Sequence, residues 1–260
     1  MPFESFNPYC GSAPVPSNLW TSWNFDPFLL GALAIGLIVW RLGGRNDRMG
    51  RTCLVAAYAL IFLAFISPLC ALSSALFSAR VAHHLILIGG IAPLLAIAFP
   101  WPKGPTLPLA ALVILHAAMV WIWHAPAPYA FALSSHSAYW LMQATLFLSA
   151  WLLWREVFAP RAHRGSVVLA LLATIMQMGF LGALLVFARQ PLFAPHFTTT
   201  LAFGLTPLED QQLSGLLMWV PAFHLMQASR STSSSRSSRR SNGLMHHDRD
   251  GSRARCSTLD

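Results

Sequence analysis

The sequence predicts an all-α, polytopic integral membrane helix bundle of about seven transmembrane helices, N-terminus outside, with a disordered C-terminal tail. Composition is the first reason. Hydrophobic residues make up 55% of the 260 and charged residues 10%, against about 25% charged in an average soluble domain, and mean hydropathy is +0.54. Segmentation is the second, because the apolar residues gather into runs close to the roughly 20 needed to cross a hydrocarbon core. The third is pattern: the runs are apolar on both parities, whereas a barrel strand alternates. A soluble enzyme with so little charge would lack a solvated surface, and a disordered chain would need low hydrophobicity.

Residues 1–26 read as a polar leader rich in Pro, Ser and Asn. It holds no Lys or Arg, hence no positive n-region of a signal peptide. The expected transmembrane domain covers 27–228. Its first span, Pro27–Leu42, follows Asp26, an N-cap with Pro at the first helical position. Cys53–Leu72, Val81–Pro100, Leu107–His124 and Tyr139–Trp154 come next. The sixth span, Val167–Ala188, is expected to be capped by Ser166, and the seventh, Leu208–Gln227, opens on a Thr206–Glu209 capping box. Residues 229–260 carry 10 Ser and 7 Arg without apolar periodicity and are expected to form a disordered cytoplasmic tail.

The net charge of +8 is an orientation signal rather than a nucleic-acid one. Arg41, Arg45, Arg48 and Arg51 lie in the first connection, Lys103 in the third, and Arg155, Arg161 and Arg164 in the fifth. Arg80 and Arg189 alone occupy the even connections. This split puts the odd connections in the cytoplasm and the leader outside. Cys10, Cys53, Cys70 and Cys256 show no spacing that supports a disulfide framework from sequence alone.

Histidine carries most of the functional signal, because a bilayer penalises unpaired polar groups. His83 and His84 open the third span, His124 closes the fourth, and His136 and His196 fall in outer connections. Met119, Met142 and Met218 lie in outer halves of their spans. Imidazole with thioether suits copper better than oxygen-seeking ions. The plain alternative is a hydrogen-bonding role for each His and core filling for each Met. His116, about 12 Å deeper than His124 and about 80° around the helix, could instead pair with His83 or His84 as axial haem ligands. No Asp, Glu, Lys or Arg sits near mid-span, which argues against a proton relay. Phosphate loops, HExxH and nucleophile elbows are absent.

Several segments resemble the CtaG-type cytochrome c oxidase assembly factors of bacterial membranes. LEDQQLSGLLMWVP is similar to the family's signature and carries Asp210, Gln211, Gln212, Gly215, Met218, Trp219 and Pro221. HHLILIGGIAPLL carries His84, Pro93 and Leu94, and WIWHAPAPYAFAL carries Trp121, His124, Pro126 and Tyr129. WNFDPFLL and ISPLCALS add Asp26, Pro27, Ser67 and Pro68. The resemblance runs in order from Trp23 to Pro221. Three departures stand out: Arg80 and Met142-Gln143 occupy positions where many members have His, which leaves fewer imidazoles for a metal, and beyond Pro221, where members usually continue as apolar helix, the chain turns Ser/Arg-rich within eight residues, as a reading-frame change would produce.

The resemblance implies a non-enzymatic helper in the inner membrane. Its partners would be cytochrome c oxidase subunits and the lipid bilayer, without nucleic acid, and it would present copper as a transient cargo or hold an apo-subunit on the outer face. His84 and His124 are then the first candidate ligands, with His83, His136 and Met142 secondary. Asp210 to Gln212 would shape the outer mouth or a docking surface.

Overall fold

The computed structural model describes residues 8–100 and 107–219. Every regular element among them is helical. Helix α1, Pro27–Gly43, starts as expected: the Asp26 carboxylate accepts from the Phe28 N–H, and Pro27 stands at the first position. Asp47 caps α2, Arg48–Ile61, by accepting from the Gly50 N–H. A π-helical turn, Phe62–Ile66, prolongs α2 to Ser67-Pro68. Proline has no N–H to continue the ladder, so the chain turns there. Ser67 donates its hydroxyl to the Leu63 carbonyl and accepts from the Leu69 N–H, opening α3, Pro68–Ala75.

One extended residue, Leu76, separates α3 from α4, Phe77–Leu85. A second π segment, Ile86–Ile91, carries α4 into α5, Ala92–Ala98. Pro93 cannot donate to the preceding turn, and the Trp154 indole donates instead to the Ile88 carbonyl at 2.9 Å. Side chains of neighbouring helices commonly repair such breaks inside apolar surroundings. Helix α6, Leu109–Trp123, bends by 73° into α7, Pro126–Ser134, again at a proline. Helix α8, His136–Val157, is capped by Ser135 and packs on α5, α6 and α7. Helix α9, Arg164–Phe187, follows, and a final helix α10 occupies 207–219.

Among the described residues, three helical stretches are long and apolar enough to cross a membrane: Arg48–Ile66, Phe77–Ala98 and Arg164–Phe187. The bent α6–α7 pair makes a fourth if it is one span. This is fewer than the seven expected. Helix α1 has only 17 residues. Gln143, Ser149, Arg155 and Glu156 dilute α8, and α10 reaches the last described residue at Trp219. Exposed Leu169, Met176, Phe180 and Phe187 give α9 an apolar outer face suited to lipid.

Four local expectations change. Ser166 is no cap: α9 begins at Arg164, so Ser166 lies in its first turn. His136 is the first residue of α8 rather than a loop residue. Arg80 belongs to no connection, because α4 starts at Phe77 and encloses it completely. Cys10 and Cys70 form a disulfide across 60 residues of sequence. Spacing concealed that pair because the intervening chain folds back: the Asn24 N–H bonds the Ile66 carbonyl. Pro221 and the expected tail lie outside the described residues.

Candidate functional site

The α3–α4 break is closed from far along the chain. Asp210, fully buried in the first turn of α10, accepts from the Phe77 N–H at 2.6 Å, the Ser78 N–H at 3.2 Å and the Ser78 hydroxyl. It is therefore the N-terminal cap of α4, in addition to lying near the positive end of its own helix. Across the same break, the Ala75 carbonyl accepts from Thr199 at 2.6 Å and from His196 Nδ1 at 3.1 Å. With Nδ1 committed as donor, His196 Nε2 accepts from the Tyr129 hydroxyl at 2.6 Å. Burial holds His196 down at about 3, below its ordinary value, with the Arg80 charge adding to the shift.

Helix α4 then presents three buried polar residues in one turn. Arg80 and His83 are fully enclosed, and His84 is nearly so. The Arg80 guanidinium lies over the Tyr139 ring, 5.2 Å from its centroid, and the Tyr129 and Tyr139 hydroxyls interact with it. The His83 ring meets Phe65 edge-on at 4.6 Å. The His84 ring is 6.0 Å from His83 and 5.3 Å from His124.

His124 owes its place to the α6–α7 bend. It ends α6, and its Nδ1 donates to the Val120 carbonyl at 2.7 Å. That bond fixes the tautomer and leaves Nε2 as the lone-pair nitrogen, as in metal-ligating imidazoles held by a backbone carbonyl. His124 Nε2 and both ring nitrogens of His83 and His84 have no hydrogen-bond partner of normal geometry among the described residues. Buried polar atoms are rarely left so, and these would suit a soft cation.

The donor set is small. No group of three or more His, Cys, Asp or Glu is placed to hold a metal among the described residues. Two facing imidazoles, His84 and His124, would offer a metal ion two nitrogens, fewer than an octahedral metal takes. Of the other candidates, Met142 is fully buried in the same core, and His136 is exposed, edge-on to Tyr9 at 5.6 Å. His116 is engaged elsewhere, with Nδ1 3.0 Å from Ser149 Oγ between α6 and α8.

The signature residues of α10 serve packing. Gln211 bridges the Leu192 N–H and the Leu185 carbonyl, pinning the segment after α9. Gly215 meets Gly182 so closely that a Cβ at either would stand 2.5 to 2.7 Å from the other's carbonyl oxygen. The Trp219 indole donates to the Gly179 carbonyl at 3.1 Å, and Met218 is buried while Gln212 is half-buried. Sequence reasoning placed Arg80 in a connection and read it only as an absent imidazole, and it missed Tyr139 and the structural part played by His196.

Residues 103–227 match the family model of the cytochrome c oxidase caa3 assembly factor, Caa3_CtaG. The match takes in α6 to α10, and with them His124, Tyr129, His196 and Asp210. No curated protein and no solved structure matches the chain.

Proposed function

We propose, from the family match over residues 103–227, that the chain is an assembly factor for a cytochrome c oxidase, without turnover chemistry of its own. It works in the bacterial inner membrane, with the leader outside and the odd connections in the cytoplasm. The Cys10–Cys70 disulfide supports that orientation, since such bonds persist in oxidising compartments. In this reading more of the expected seven spans cross the bilayer than length and hydropathy alone pick out, and the Ser/Arg-rich stretch 229–260 is cytoplasmic.

Copper is the cargo this reading assigns to the outer end. The observation that carries it is the meeting of two imidazole rings with unpartnered nitrogens, His84 and His124, at 5.3 Å. Each would give one nitrogen. Val120 orients His124 through its carbonyl, and Asp210 sets the start of the helix that carries His84. His83 and Met142 are reserve donors. The Arg80 charge nearby acts on both α4 imidazoles, favouring a singly charged ion and weak retention, as transfer to an oxidase subunit requires.

Copper analysis of the purified chain, with complementation of oxidase assembly by His84→Ala and His124→Ala, tests the proposal. Sub-stoichiometric copper in the wild type and loss of assembly in both variants are expected. Absence of copper with full assembly by both variants would remove the copper role. A Soret band in the purified protein would overturn the assembly-only reading.

A further inference from the structure

At the end of the bundle opposite the disulfide, the α1–α2 connection, the end of α5 and the segment after α8 line a cavity of about 230 Å³. Ala96 and Pro100 contribute from the end of α5, and Phe158 from the end of α8. Arg45, Arg155 and Arg161 supply the polar wall, and among the described residues no acidic side chain lines it. The volume is below that of a drug-sized pocket and matches a headgroup.

The arginines are held in place from behind. Arg45 Nη2 lies 2.7 Å from Asp47, and Glu156 bridges Arg155 at 2.7 Å and Arg161 at 2.9 Å. Arg155 is buried, while Arg45 and Arg161 are about half exposed. Three guanidinium groups and, among the described residues, the carboxylates of Asp47 and Glu156 thus meet at this cavity.

We propose that this cavity binds a phosphate ester, and that in the membrane its source is the headgroup of an anionic phospholipid. Guanidinium forks match phosphate oxygens in pairs, and basic pockets between membrane helices recruit such headgroups. Phe158 and Pro100 then flank the glycerol end. The proposal rests on the membrane reading but not on copper.

Native mass spectrometry of the full chain in mild detergent, titrated separately with phosphatidylglycerol, phosphatidylcholine and inorganic phosphate, tests it. Phosphatidylglycerol is expected to be retained about tenfold more strongly than phosphatidylcholine. That preference should vanish in Arg45→Gln/Arg161→Gln and persist in Arg189→Gln, which changes an exposed arginine elsewhere. Inorganic phosphate binding alone, with the same sensitivity to the double variant, would support the phosphate site with a soluble ester as its source. Equal retention of the two lipids without phosphate binding would overturn the proposal, as would an equal loss in Arg189→Gln. Should the double variant fail to fold, the wild-type comparison among the three probes still decides.

Discussion

Removing the Asp210 carboxylate separates two accounts of the same residue. In the structure Asp210 is a buried cap: two backbone N–H groups and one hydroxyl of α4 depend on it. Asp210→Ala leaves all three without an acceptor, each at about 1–3 kcal/mol, while N-cap losses alone run to about 2 kcal/mol. Entry of a water would recover part of that, so a net cost of about 3–4 kcal/mol follows. At about 2–4 °C per kcal/mol for a domain of this size, the melting point in detergent should fall by roughly 10 °C. Asp210→Asn keeps one acceptor oxygen and should lose about half as much. The assay is a thermal melt of both purified variants, paired with oxidase complementation. A melt of Asp210→Ala within about 2 °C of wild type, combined with lost assembly, would refute the cap argument and restore a docking role.

Three further outcomes are expected. Cys10→Ser should cost up to about 4 kcal/mol by the loop-entropy estimate for a 60-residue separation; reductant should bring the wild type to the variant's melting point and leave the variant unmoved. Gly215→Ala and Gly182→Ala should each cost about 1–3 kcal/mol, because the added Cβ meets a backbone carbonyl rather than a movable side chain. The double variant should lose less than the two combined, since one clash already parts the helices. His196 should make the protein acid-sensitive: with its folded value at about 3, the native state holds it neutral where the unfolded chain is protonated. Stability present above about pH 6.5 is therefore lost as pH falls toward 3, and the melting-point slope over that range should be shallower in His196→Gln.

What the sequence disclosed was local. Asp26-Pro27 and Thr206–Glu209 cap as their spacing indicates, with Glu209 accepting from the Thr206 N–H and hydroxyl, because capping is decided within a few residues. The apolar runs located α2, α4–α5, α6 and α9 for the same reason. Features joined across long stretches were not legible. Asp210 reads locally as a dipole partner of its own helix, yet its bonds reach residues 132 and 133 positions away. Arg80 was assigned to a connection because charge normally marks one. The Tyr139 ring and the Tyr129 hydroxyl that shelter it come from α8 and α7. Of the candidate ligands, His84 and His124 lie on α4 and at the α6–α7 bend, elements set apart by breaks at Ser67-Pro68, Leu76 and Pro126 that turn the chain. His136 remains apart at the surface.

The breaks and the histidines are one physical problem. Interrupting a helix in apolar surroundings strands N–H and carbonyl groups, each costly without a partner. Here the α3–α4 break is satisfied by Asp210, Thr199 and His196, all supplied by α10 and the segment before it. The position of His84 therefore depends on residues that never touch it, and a variant at any of them can displace the imidazole while leaving every ligand in the sequence. Loss of assembly in such a variant is informative about copper only when its melting point is unchanged. By that criterion His84→Ala and His124→Ala are the cleaner probes. The His84 ring and His124 Nε2 bond no other group described, so their removal takes away a potential ligand without releasing a backbone partner at the α3–α4 break.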